Sequence, residues 1–224
     1  MFDSIAPRYD ALNHLLSAGL DRGWRRRAVR ALRLNGRERV LDMCTGTADL
    51  AIEAATSRTG QAAQVIGIDF AAEMLRLGQA KVRRAGLGHR VLLARGDAMR
   101  VPLDDGSCDG ALVGFGIRNV ADPAQACREF SRVLRPGGRL AVLEFGSPEV
   151  PGIRGLYRWY FRSVLPRVGG WISKHGDAYS YLPASVEAFH TPQAFMSLLT
   201  SAGFRTVRRE RLALGIVSLY LAER

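Results

Sequence analysis

Apolar and polar positions follow two periodicities along this chain. In "YDALNHLLSAGLDRGWRRRAVRALRL" the apolar residues recur three and four apart, which predicts amphipathic helices over the N-terminal region. From Arg39 onward short apolar runs alternate with helical patterns. "RVLDMC", "QVIGIDF", "RVLLARGD", "CDGALVGFG" and "RLAVLEFG" read as strands. Between them, "ADLAIEAATS", "AAEMLRLGQAKVRRAG" (ending at Gly86) and "DPAQACREFSRVLRPGG" read as helices, the last with Asp122 as N-cap and Pro123 in its first position. Such alternation implies right-handed crossovers and a mostly parallel sheet with helices on both faces. Near the end, "FRTVRRERLA" and "GIVSLYLAER" flank Gly215 as an antiparallel hairpin. Five strands and a terminal pair make an α/β fold with a seven-stranded sheet, in one domain spanning residues 1–224.

The candidate chemistry sits where these strands end. In "RVLDMCTGTADLA", an Asp-x-Gly-x-Gly-x-Gly loop would carry three glycines. Here Gly46 alone remains, and Cys44 and Ala48 take the other places. A pyrophosphate-binding dinucleotide loop is poorly supported, because Asp42 repels phosphate and the glycines are depleted. A carboxylate at this point suits a cationic ligand such as S-adenosyl-L-methionine, with its ammonium and sulfonium groups and no phosphate. The small residues let backbone approach the ligand, and Thr45 and Thr47 add hydroxyls. By itself the loop also fits an ordinary strand-to-helix turn. Two further acids change the balance. Asp69 ends "VIGIDF", where it can accept both ribose hydroxyls, with Phe70 beside it. Asp97 ends "ARGD", where its carboxylate and the Ala98 amide can read an adenine edge. Three acids at consecutive strand ends converge on one crevice.

Composition narrows the class. The chain has 224 residues, a hydrophobic content of 47% and charged content of 24%, as in soluble globular proteins. No apolar run reaches the roughly 20 residues of a membrane span, and "MFDSIAPRYD" lacks the regions of a signal peptide, so a cytoplasmic enzyme is expected. Cys44, Cys108 and Cys127 are odd in number and far apart; they read as reduced thiols, and no metal site is expected. The net charge of +11 brings RNA or an anionic membrane into consideration. Nearly all the cations are arginine, Lys81 and Lys174 being the two lysines, which looks more like a compositional habit than a binding device. RNA binding would also call for exposed aromatics among the basic residues, and nucleic acid is not an expected partner.

With these pieces together the chain resembles the class I methyltransferases of Rossmann-like fold, and among them the quinone-biosynthesis C-methyltransferases. The stretches that carry the resemblance are "MFDSIAPRYDALNHLLSAGLDRGWRR", "VLDMCTGTADLA", "GDAMRVPLDDGSCD", "FGIRNVADPAQACREFSRVLRPGGRLAVLEF" and "GDAYSYLPASVEAF", which cover almost the whole length. The resemblance implies methylation of a prenylated quinol, with S-adenosyl-L-homocysteine as the spent cofactor. Demethylmenaquinol is the leading acceptor, because "CTGTAD" looks more like the menaquinone-pathway members; the ubiquinone-pathway benzoquinol is the alternative. Carried over by position, cofactor contacts fall on Thr47, Asp69, Asp97 and Ala98. Gly114 stands where some relatives place a serine.

C-methylation needs alignment of carbon, methyl and sulfur, stabilisation of a phenolate-like charge and a proton acceptor. Arg118 and Asn119 in "FGIRNV" follow the fourth strand; Arg118 either stabilises the oxyanion or pairs with an acid to hold its loop. His190, His14, Tyr181, Tyr179, Tyr9 and Asp177 are further acceptor-side candidates, the histidines as groups able to take a proton near neutral pH. Glu144, ending the fifth strand, is either a site acid or a capping partner. Residues 1–36 form a helical lid region and residues 150–190 a substrate-side insert. In that insert "GIRGLYRWYFRSVLPRVGGWIS" carries an apolar helical stripe with Arg154, Arg158 and Arg162 on another face. The stripe either packs on the core or forms a groove for a prenyl tail at the inner face of a membrane, a peripheral contact. A homodimer is compatible with all of this. Another small-molecule methyltransferase is a second enzyme reading.

Overall fold

The computed structural model describes residues 17, 19–146 and 184–224. Helix α1 (Asp21–Ala31) opens the described chain. β1 (Arg39–Met43), α2 (Asp49–Thr56), β2 (Gln64–Asp69), α3 (Ala72–Arg84), β3 (Val91–Arg95) and β4 (Cys108–Gly114) follow. A 3-10 turn (Ile117–Asn119), α4 (Pro123–Val133), β5 (Leu134–Phe145), α5 (Pro192–Ser201), β6 (Thr206–Leu212) and β7 (Val217–Glu223) complete it.

The strands form one sheet in the order β3-β2-β1-β4-β5-β7-β6. β1 to β5 are parallel, and β7 enters antiparallel between β5 and β6. The expected seven strands and terminal hairpin are therefore present, with Ala213–Gly215 as the connecting turn. Because side chains alternate along a strand, Val40 and Asp42 face one side of the sheet and Leu41 and Met43 the other. The first side is a core of Trp24, Ala28 and Val29 from α1 with Leu50, Ala51 and Ala54 from α2. The second holds Phe130 from α4 and Phe195 and Leu199 from α5. Caps behave as read: Asp122 accepts from the Gln125 amide at 3.0 Å, and Pro123 begins α4. That helix stops at Val133, earlier than its sequence pattern implies, because Leu134 already pairs with Cys108 of β4. β3 likewise stops at Arg95, so Asp97 does not end a strand. It sits in the following loop, in an isolated bridge with Arg100.

The strand order reverses at β1, which has β2 on one side and β4 on the other. Open α/β sheets leave a crevice above their carboxyl ends at such a switch point.

Candidate active site

The loop after β1 supplies the floor of that crevice, and its backbone explains the depleted glycines. Cys44, Gly46 and Ala48 all lie in the left-handed region, with φ of 58°, 54° and 67°. The chain keeps the glycine-loop conformation at all three positions while using a glycine at only one. Each non-glycine residue there costs about 1–2 kcal/mol. Tertiary contacts must hold the loop in place. Gly116, after β4, closes against Cys44, where an added Cβ would lie 2.2 Å from the Cys44 Cβ. The Gly46 amide donates to Asp69 Oδ2 at 2.8 Å, and Asp69 Oδ1 accepts from the Ala71 amide at 2.9 Å. Asp69 thus anchors the loop of one strand to the end of the next.

Asp42 lies beneath this loop at 1% exposure. Its Oδ2 accepts the Thr45 hydroxyl at 2.6 Å, and no hydrogen bond of acceptable geometry reaches Oδ1 among the described residues. Burial pushes its carboxyl up to about 7; Asp69 and Asp49 add to the rise, and hydrogen bonding from the Thr45 hydroxyl and, at poorer geometry, from the Ala51 backbone amide opposes it. A buried, half-satisfied carboxylate is what a ligand cation would complete. The residues present therefore fit the ammonium end of S-adenosylmethionine. Cys44 is half-buried, and burial together with Asp69, Asp42 and Glu144 pushes its thiol well up, so it stays neutral. Cys108 and Cys127 are buried, and all three cysteines are free thiols.

Other predicted residues are placed as follows. Thr45 and Thr47 are buried, and the Thr47 hydroxyl accepts from Lys81 at 3.0 Å. Phe70 is 68% exposed, with the Arg95 guanidinium 5.3 Å from its ring centre. Asp97 Oδ1 accepts from the Met99 amide at 2.9 Å, turning the loop around buried Ala98. Gly114, half-buried, ends β4 with Leu50 against its α-carbon.

Arg118 resolves toward its pairing role. Its guanidinium meets Glu144 Oε1 at 2.8 Å, with side-chain exposures of 6% and 0%. Glu144 also accepts from the Arg118 amide at 3.3 Å and the Phe145 amide at 2.8 Å, so it caps the 3-10 turn carrying Arg118 and Asn119. Arg118 further donates to the Phe115 carbonyl and to Ser185 Oγ, the latter at 3.3 Å. A cavity of about 400 Å³ opens beside it, lined by Pro123, Ser185, Ala188, Phe189 and His190 as well. His190 is exposed, its ring 5.5 Å from that of Phe189. Tyr9, His14, Asp177, Tyr179, Tyr181 and the stretch with Arg154, Arg158 and Arg162 lie outside the described residues.

The sequence offers an acid partner for Arg118 and a capping role for Glu144 without joining the two, and it leaves the close contact at Gly116 and the role of Lys81 unread. Of these last two only Lys81 leaves a signal, as one of two lysines among 32 basic residues.

The strand order, the antiparallel β7 and the acid-floored loop above β1 define a class I methyltransferase of Rossmann-like fold. A solved structure, a SAM dependent methyltransferase from Aquifex aeolicus, shares this fold with a TM-score of 0.63, covering 89% of this chain and 88% of that one at 18% identity. Residues 1–224 match the ubiE/COQ5 methyltransferase family, and the chain belongs to that family. It is 46% identical to a demethylmenaquinone methyltransferase of Thermus thermophilus, over 100% of both chains. It is 47% identical to a ubiquinone/menaquinone biosynthesis C-methyltransferase of Geobacter sp. strain M21, over 99% of this chain and 93% of the relative.

Proposed function

We propose that this protein binds S-adenosylmethionine in the crevice above β1, β2 and β4 and methylates a ring carbon of a prenylated quinol, demethylmenaquinol being the leading acceptor. The observation that carries the cofactor assignment is the buried Asp42 carboxylate, whose Oδ1 has no hydrogen bond among the described residues, beneath a loop already in glycine-loop conformation. The acceptor class rests on family membership and on the Thermus relative's full-length match. The Geobacter relative's name keeps the benzoquinol of the ubiquinone pathway as a second acceptor.

Asp42 receives the ammonium group, Asp69 accepts the ribose hydroxyls through lone pairs not aimed at its amide donors, and Phe70 offers a ring face to the adenine. Asp97 and the Ala98 amide read the adenine edge, while Gly46, Thr47 and Gly114 bring backbone close. When bound, the cofactor supplies an electrophilic methyl group and leaves as S-adenosylhomocysteine, its sulfur keeping the bonding pair. The quinol lies in the cavity beside Arg118. Its ring hydroxyl gives a proton to His190, directly or through one water, and Arg118, held by Glu144 at the cavity wall, donates with the Asn119 amide group to the phenolate oxygen. The methylated ring carbon then loses its hydrogen as a proton to water, the ring regains aromaticity as a phenolate, and His190 returns the proton it took to restore the hydroxyl. Tyr181, outside the described residues, stays an acceptor-side candidate on the sequence alone. A membrane-held quinol would place the protein at the inner membrane face as a peripheral visitor; no helix among the described residues is long and apolar enough to cross a membrane.

The test is direct. The purified protein is given S-adenosylmethionine and short-tailed reduced demethylmenaquinone or benzoquinol, and products are weighed by mass spectrometry. One added methyl on the naphthoquinol is expected. Cofactor binding without methylation of either acceptor would leave the crevice assignment standing and remove the quinol.

A further inference from the structure

Ala48 is the most demanding residue of the cofactor loop. It is fully buried, has φ of 67° and serves as N-cap of α2 without a side chain able to cap. A strained residue persists only where its surroundings over-determine it. The two residues flanking it are gripped by one group: Lys81 Nζ donates to Thr47 Oγ1 at 3.0 Å and also to Asp49 Oδ1. Lys81 lies one turn along α3 from Gly78, and that glycine lets the helix seat directly on the loop. A Cβ at Gly78 would come within 3.2 Å of the Thr47 carbonyl carbon and 3.3 Å of the Ala48 Cβ. Gly78 supplies the close approach and Lys81 the hook, on one helix face.

The other side of Asp49 is held as well. Its Oδ2 meets Arg25 Nη1 at 3.3 Å, and Arg25 pairs with Asp21 at 2.7 Å, so α1, α2 and α3 share one ionic chain at the loop. In a chain that uses arginine almost throughout, this position keeps a lysine. A compact ammonium can aim separate N–H bonds at two acceptors either side of one residue, which a planar guanidinium fork does less well.

We propose that Lys81 is a positioning residue for the cofactor: by clamping Thr47 and Asp49 it holds Ala48 left-handed and keeps the loop preformed for S-adenosylmethionine. This rests on the cofactor reading above. Preorganisation lowers the free energy of binding without adding a ligand contact.

The experiment is a two-by-two set, wild type, Lys81→Met, Ala48→Gly and the double variant, titrated with S-adenosylmethionine by calorimetry, with kcat and KM alongside. Lys81→Met is expected to weaken binding about tenfold, or about 1.4 kcal/mol, with kcat at saturating cofactor within about twofold. In the Ala48→Gly background, where a left-handed residue needs no clamp, the same substitution is expected to cost less than about threefold. Unchanged affinity in Lys81→Met, or an equal loss in both backgrounds, overturns the proposal. Should Lys81→Met fail to fold, a folded, cofactor-binding double variant supports it and an unfolded one overturns it. A wild-type protein that does not bind the cofactor sinks the functional reading itself, whereas binding by wild type with no effect of Lys81→Met sinks only the clamp.

Discussion

Two buried carboxylates end strands of the same sheet, and they are treated oppositely. Glu144, at 0% exposure, has hydrogen-bond donors on both oxygens, from the Arg118 guanidinium, the Arg118 amide and the Phe145 amide. Asp42, at 1% exposure, has one oxygen met by Thr45 and the other by no hydrogen bond among the described residues. Glu144 is a finished piece of framework that fixes the turn after β4. Asp42 is unfinished: among the described residues its Oδ1 has no hydrogen bond, and burial raises its carboxyl toward the neutral form. Buried polar groups without partners are uncommon in native proteins, and a gap of this kind, at a switch-point crevice, marks where a ligand belongs.

The largest effect that sharpens this contrast comes from breaking the finished pair. Arg118→Ala leaves Glu144 buried and uncompensated, so a loss of about 3–5 kcal/mol is expected in urea unfolding. Removing both partners as Arg118→Met with Glu144→Leu should cost less than the single change, and a larger cost would contradict the framework role.

Asp42→Asn should act in the opposite sense on stability. The folded Asp42 carboxyl titrates near 7, above its ordinary value of 3.8. Its contribution is therefore fully present below about pH 4 and lost as pH rises through about 7, with a slope approaching 1.4 kcal/mol per pH unit in that window. The asparagine variant lacks that slope, so the stability difference between variant and wild type should move in the variant's favour from pH 4 to pH 8. Cofactor affinity should fall about 10–100-fold in the same variant, the worth of a hydrogen bond to a charged group. In the wild type a cationic ligand must expel the Asp42 proton, so affinity should decline as pH drops below about 7, with proton release visible by calorimetry in buffers of different ionisation enthalpy. A flat profile would remove Asp42 from the ammonium site.

Gly116→Ala tests the contact between the two loops. Its Cβ would overlap that of Cys44 at 2.2 Å, and a loss of about 1–3 kcal/mol is expected in thermal unfolding. The smallest effect belongs to Ala48→Gly. Relief of about 1–2 kcal/mol of left-handed strain is offset by about 0.5–1 kcal/mol of backbone entropy and about 0.8 kcal/mol for the lost buried methyl. A net change within about 0.5 kcal/mol is expected, and a loss above about 2 kcal/mol would mean that Ala48 is not strained.

Reading from sequence works where chemistry is local and falters where it is not. The strands, the caps at Asp122 and Pro123 and the hairpin around Gly215 follow from periodicity and turn residues within a few positions. The apolar run before Asp97 points to a strand that continues to it, but the edge strand pairs on one side only and stops at Arg95. Thr45 and Thr47 read as hydroxyls beside the loop, and both are buried against partners three and 34 positions away. Arg118 is legible as a charge near the crevice, whereas its partner is 26 positions distant.

By itself, then, the sequence determined the sheet, the acids near the ends of β1, β2 and β5 and the membership of a methyltransferase family, because hydrophobic period and residue type act within one element. Tertiary structure alone decided which of those acids is complete and which is open. It also decided that a loop with one glycine can hold three left-handed residues. Both depend on donors and close contacts brought from other strands and helices, and burial then makes each satisfied or missing hydrogen bond count.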